Sequence, residues 1–225
     1  QCSKLKTIKL GKESYIESLG GSIFEDTIVD TFIVDEQSPY YKASSDGSLL
    51  LSKDGKELVL ASTNFDYPDV LVLDYDVIAQ GAFSGVKTLK AIEFTKSTTI
   101  VDDYAFANCT GFTSVTVPKT ICELGNYAFA NCTLLKNAEI EPVGKIGDYV
   151  FDQCISLEEI TLPYAGTTLE SVNKEGSDQY IVDRLFDCPV SDKTYKVTDS
   201  SGYGGYVPNS LKKITITGGT RIPSH

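Results

Sequence analysis

The chain has 225 residues, 41% of them hydrophobic, and carries 31 Asp+Glu against 20 Lys+Arg, a net charge of −11. Such a surface repels nucleic-acid phosphates and anionic lipid, so neither is an expected partner. No apolar run is long enough to span a bilayer, and the one histidine, His225, is the last residue, which excludes a His-dependent catalytic triad within the chain.

From the N-terminus, Leu5-x-x-Ile8-x-Leu10 and Val29-x-x-Phe32-x-Val34 read as two short strands, with Phe24 between them as a candidate turn aromatic. Ser38-Pro39 is a turn signal. Two leucine-rich runs, Leu49–Leu51 and Leu58–Leu60, then flank Asp54-Gly55, and Asp-Gly between apolar runs signals a β-hairpin, placed at about 48–60. We read about 35–62 as an insertion carrying this hairpin, and the stretches near 38–60 and 164–210 as chain that the core does not need. From 77 to 163 one phrase recurs, Ile/Leu-Gly-x-Tyr-Ala-Phe followed by Cys and a strand. Its Phe falls at Phe83, Phe106, Phe129 and Phe151, at spacings of 23, 23 and 22 residues. Its Cys falls at Cys109, Cys132 and Cys154, three residues after its Phe each time. A fixed period in the twenties marks a solenoid. Residues 164–210 are irregular and loop-rich, although Ile181 and Phe186 keep the five-residue spacing of the repeat. Ser210–Ile216 returns to a strand. The whole of 1–225 is expected to form one repeat domain. The chain contains no Met, shows no signal peptide, and ends on what looks like the opening of another unit, so it reads as a piece of a longer protein.

Within one repeat, Phe112-x-x-Val115-x-Val117 has the L-x-x-L-x-L form of a solenoid strand. Alternation sends Val115 and Val117 inward and Ser114 and Thr116 outward. One coil is too thin to bury its apolar face, and stacking the coils into a parallel sheet, with strands about 4.8 Å apart, solves this. Val101, Leu124 and Ile146 stand five residues before each Phe. Together with that Phe they should form the opposite wall of the core. We expect Phe106, Phe129 and Phe151 to stack in a buried column.

These motifs resemble the BspA-like leucine-rich repeats, also called the Treponema pallidum type, whose pattern is roughly Leu-x-x-Ile-x-Ile-Pro followed by Ile-Gly-x-x-Ala-Phe-x-x-Cys. Residues 77–163 match closely, and 4–10 and 211–223 match in part. The resemblance implies a curved, β-rich leucine-rich repeat solenoid, wound as a right-handed superhelix. A parallel sheet would form one face, and short strands, turns and short helical turns the other. It also implies secreted or surface-anchored proteins, mostly bacterial, that bind or adhere rather than catalyse.

The cysteines at one repeat position are expected to be buried free thiols, because parallel Cβ vectors on neighbouring coils disfavour a bridge. No CxxC or His-Cys cluster exists, so neither a metal site nor a cofactor is expected. No catalytic constellation is present, and the abundant carboxylates read as solvated acids. The expected role is a non-catalytic extracellular or cell-surface interaction and adhesion module. Its partner would be protein or glycan, including host extracellular matrix. The alternative is a spacer that presents other domains of a longer protein. The candidate contacts are Tyr203 and Tyr206 in a Gly-rich loop, then Tyr40 and Tyr41, because tyrosine concentrates at binding hot spots. The outward strand face around Glu93 and Glu139 is the other candidate.

Overall fold

The structure is a computed structural model, and it describes residues 5–15, 19, 28–163, 185–186, 194–196 and 206–217. In chain order the strands are β1 (Thr7–Leu10), β2 (Thr31–Val34), β3 (Tyr41–Ala43), β4 (Leu49–Ser52), β5 (Glu57–Ala61), β6 (Leu71–Leu73), β7 (Val77–Ile78), β8 (Ile92–Phe94) and β9 (Ile100–Val101). They continue with β10 (Ser114–Val117), β11 (Glu123–Leu124), β12 (Asn137–Ile140), β13 (Lys145–Ile146), β14 (Glu159–Leu162), β15 (Thr194–Lys196), β16 (Tyr206–Pro208) and β17 (Lys213–Ile216). Phe24, Cys2, Cys188 and the segment 218–225 lie outside the described residues.

Each coil contributes one strand to each of two parallel walls. The longer strands β10, β12, β14 and β17 form the first, with register Val115↔Ala138, Ile160↔Ile214 and Leu162↔Ile216. The two-stranded pair β6–β8 precedes it on the same side of the repeat, in register Leu73↔Phe94. The short strands β7, β9, β11 and β13 form the second wall and stack Ile78, Val101, Leu124 and Ile146, all essentially inaccessible. The apolar rows assigned from alternation face inward through β10, β12 and β14, whereas on β17 Ile214 and Ile216 are 42% and 37% exposed.

Between the walls the turn phenylalanines stack. Ring centroids are 5.1 Å apart for Phe83–Phe106, 5.2 Å for Phe106–Phe129 and 5.9 Å for Phe129–Phe151, with interplanar angles of 9°, 5° and 17°. The Phe151 N–H donates to the Leu185 carbonyl at 3.0 Å, as the Phe129 N–H donates to Val150. Leu185 and Phe186 are buried, so this piece of the repeat read inside 164–210 packs on the preceding coil.

Short helical turns were expected opposite the long strands, but residues 28–163 contain no helical segment. The hydrogen bonds explain why. Tyr104, Phe106 and Asn108 donate their N–H groups to Asn126, Ala128 and Ala130 of the next coil. Ala105 and Ala107 donate back three residues, to Asp102 and Tyr104. Alternate amides therefore serve the neighbouring coil, which an α-helix cannot allow. The alternation requires left-handed backbone at Tyr104 (φ 58°), Asn108 (61°), Tyr127 (55°), Asn131 (57°), Tyr149 (58°) and Gln153 (56°). In the first of these turns Gly81 (66°) and Gly85 (79°) hold the same two places.

The hairpin is present as β4 and β5, antiparallel, and β3 adds a third antiparallel strand. Both turns are built alike. Asp46 accepts from Ser44 Oγ at 2.7 Å and from the Ser48 N–H at 2.9 Å. Asp54 accepts from Ser52 Oγ at 2.7 Å and from the Lys56 N–H at 3.0 Å. Gly47 and Gly55 supply the positive φ that follows each Asp.

The reading of 38–60 as chain outside the core is overturned. β5 pairs in parallel with β7, so the hairpin continues the second wall rather than projecting from it. Leu49, Leu51 and Leu58 enter the main core, while Leu50, Val59, Leu60 and Tyr41 enter a second core with Leu10, Val29 and Phe32 of the first two coils. Both faces are covered, which is why the strands read as unbroken leucine runs rather than alternating ones.

Cys109, Cys132 and Cys154 are buried free thiols. Each donates to the turn-Phe carbonyl of the preceding coil: Phe83 at 3.1 Å, Phe106 at 3.4 Å and Phe129 at 3.2 Å. Burial, with Cys132 close by, pushes the Cys109 thiol well above its usual range. Native iodoacetamide treatment should modify exposed Cys122 and spare these three. Peptide mapping that found Cys109 alkylated, or joined to Cys132, would contradict the ladder.

Candidate functional site

The long-strand wall presents its outward side chains in rungs set by the parallel register. One rung runs Ser114, Asn137, Glu159, Lys213, and the next runs Thr116, Glu139, Thr161, Thr215. Ser114, Thr116, Asn137, Glu139, Glu159 and Lys213 are exposed. On β10, β12 and β14 their strand neighbours carry the packing, so these positions can change without disturbing the core. On β8, exposed Glu93 stands opposite Val72, which is 54% exposed. Glu93 and Glu139 thus share the outward side but not a sheet: β8 pairs with β6, and β12 lies between β10 and β14.

Charge on this face is mixed and paired between coils. Lys213 lies 3.6 Å from Glu159, and Lys212 lies 2.7 Å from Glu158, holding the Glu158 carboxyl below its usual range. The Lys90–Asp69 pair, at 2.6 Å, lowers Asp69 and raises Lys90. All are solvent-exposed pairs of small energetic weight, so they add little to stability.

The other candidate contacts are placed as follows. Tyr41 is only 4% exposed, since strand alternation turns its ring into the second core; it is withdrawn as a contact residue. Tyr40, beside it, is half-buried against the same core. Tyr203 lies outside the described residues. Tyr206 is not in a loop: it opens β16 and pairs in register with Lys196 of β15, next to Val207, which is buried in the main core.

Two side-chain ladders on the turn side went unread in the sequence. Two residues before each Phe, the Tyr104 and Tyr127 rings stack at 4.9 Å with an angle of 4°, and Tyr149 follows at 5.0 Å and 36°. Two residues after each Phe, Asn131 Nδ2 donates to Asn108 Oδ1 at 2.6 Å. The signal was Gly81 and Gly85, which occupy the Tyr and Asn places one repeat earlier and betray the left-handed backbone there. Asn108 and Asn131, which also match the glycosylation sequon, serve this ladder.

Beside the ladder is a cleft of about 520 Å³, lined by Ile28, Thr63, Asn64, Ser84, Gly85, Lys87, Thr88, Asn108, Thr110 and Asn131. Among the described residues no cluster of three or more His, Cys, Asp or Glu is arranged to hold a metal, and no helix is long and apolar enough to cross a membrane.

Comparison with known proteins agrees with the geometry. A family model for the BspA type leucine-rich repeat region, in six copies, matches residues 65–178, just over half of the chain. No curated protein sequence matches. A leucine-rich repeat protein from Eubacterium ventriosum superposes with a TM-score of 0.63 at 21% identity, covering 69% of this chain and 42% of its own. The pneumococcal vaccine antigen PcpA superposes with a TM-score of 0.52 at 16% identity, covering 94% and 51%. A leucine-rich cell surface protein from Faecalibacterium prausnitzii gives 0.51 at 21% identity, covering 69% and 47%. The chain spans about half the length of the solved structures it matches. At these identities the likeness is one of fold. The repeat phrase, the two parallel walls and the matched family model together make this chain a member of the BspA-type leucine-rich repeat family.

Proposed function

We propose that the chain is a non-catalytic protein-interaction and adhesion module working outside the cell or at its surface. The observation that carries this is the outward strand face. Its polar rungs are held in fixed register by a core to which they contribute nothing. Such a face is a rigid platform whose chemistry varies freely, which suits recognition. The net charge of −11 disfavours nucleic acid and anionic lipid and leaves protein or glycan. Two fold neighbours, a cell surface protein and a vaccine antigen, support a surface location. Within the reading, Glu93 and Glu139 are the favoured contacts, and Tyr203, Tyr206 and Tyr40 are further candidates.

The test is an array of extracellular-matrix proteins and glycans probed with the labelled 225-residue chain. Saturable retention on at least one protein or glycan is expected, with the ligand released unchanged. Retention on none would remove the adhesion reading and favour the spacer.

A further inference from the structure

The cleft on the turn side lies where a glycine takes the place that later repeats give to an amide side chain. The ladder place is Gln153, Asn131 and Asn108 in successive repeats, and Gly85 in the repeat before them. A Cβ built on Gly85 meets nothing within 4 Å, so the space that an asparagine would fill is open. Asn108 stands at its border, its carbonyl oxygen held at 2.6 Å by Asn131 Nδ2, which leaves its own Nδ2 facing no protein acceptor among the described residues. Ser84 Oγ, Thr110 Oγ1 and Lys87 Nζ likewise have no hydrogen bond to the described residues. The backbone offers little here, because the Gly85 and Asn108 N–H groups already donate to Ala107 and Ala130.

We propose that this cleft binds a saccharide of roughly one or two rings, a size its volume admits. Seven of its ten lining residues carry a side-chain amide or hydroxyl, which both donate and accept, as sugar hydroxyls do. It contains no carboxylate and one cation. A peptide would seek a free strand edge, which the cleft lacks, and a multivalent anion would meet Lys87 alone in a strongly acidic chain. Ile28, 49% exposed at the rim, gives the C–H face of a ring somewhere to rest. The groups are pre-organised, since the amide ladder and the inter-coil bonds hold Asn108 before any ligand arrives. The cleft is separate from the strand face, and the inference does not rest on that face being an interface.

The decisive variant is Gly85→Asn. Asparagine adopts this backbone at Asn108 and Asn131, and the site has room for it, so the melting temperature should hold while the extended ladder fills the cleft. The probes are N-acetylglucosamine, N,N′-diacetylchitobiose and lactose, with triglycine and inorganic phosphate as comparators. They are titrated into the 225-residue chain while its side-chain amide resonances are followed by NMR. At least one sugar should shift the Asn108 and Asn131 amides, and Gly85→Asn should weaken that binding more than about tenfold. The Ser84→Ala/Thr110→Ala pair, which removes two unpartnered hydroxyls, should weaken it as well and decides the matter if Gly85→Asn does not fold. The proposal is overturned by no sugar binding up to about 50 mM, by sugar binding that these variants leave intact, or by tighter binding of triglycine or phosphate.

Discussion

Replacing Phe129 by alanine is expected to cost about 3–5 kcal/mol of unfolding free energy, read from reversible urea denaturation. Phe129 is fully buried, with Phe106 stacked on one side at 5.2 Å and Phe151 on the other at 5.9 Å. Phe112 packs against it at 6.3 Å. These neighbours are held by backbone bonds to adjacent coils, so the walls cannot collapse into the space left behind and most of the cavity term is retained. The loss also falls on two coil interfaces at once, because each coil of a solenoid is stabilised by its neighbours. A measured cost below about 1 kcal/mol would mean that the ring column does not hold the coils together.

Gly125→Ala is expected to cost about 3 kcal/mol, the upper end for overpacking. No left-handed backbone is involved. A Cβ at Gly125 would lie 2.4 Å from the Asp103 nitrogen and 2.5 Å from the Asp102 carbonyl carbon, atoms that cannot swing aside. Admitting it means moving one coil away from the next, which stretches the 2.7 Å bond from the Gly125 N–H to Val101. It also disturbs the Asp103 carboxylate, which accepts from the Asn126 N–H at 2.6 Å. Gly147 repeats the same approach one coil on. Gly11, whose Cβ would meet nothing within 4 Å, is the control, and Gly11→Ala should be close to neutral. Equal effects at the two sites would show that coil spacing is not what the repeated glycine protects.

How much of this was legible in the sequence depended on whether a residue's environment recurs with the period. Val115, Val117 and their equivalents recur in register, so the inward rows, the Phe column and the buried thiols followed from spacing alone. The Gly of the phrase was visible too, although only the coil-to-coil distance gives it a steric reason. Tyr41 failed because it lies in a strand unique to the hairpin, where no repeat reveals which way alternation points. The hairpin itself carried a signal that was misweighed. Leu49-Leu50-Leu51 and Leu58-Val59-Leu60 do not alternate, and strands without alternation are covered on both faces. The Tyr and Asn ladders repeat as plainly as the Phe, but polar and amphipathic residues at a period do not say whether they stack or point to water. Gly81 and Gly85 held that information, through the backbone they imply. The site is less legible than the fold because the outward positions are the ones that the core leaves free.

The central claim is that the outward strand face binds, and reversing its charge tests it most directly. Glu93 and Glu139 are exposed, with no ion pair among the described residues, so Glu93→Lys/Glu139→Lys should leave the melting temperature within a few degrees of the parent. On the ligand retained from the matrix and glycan array, the double variant should lose more than about tenfold in affinity, as expected when charges at a recognition face are inverted. Full affinity in a variant that remains folded would contradict the claim and move the binding site off the strand face.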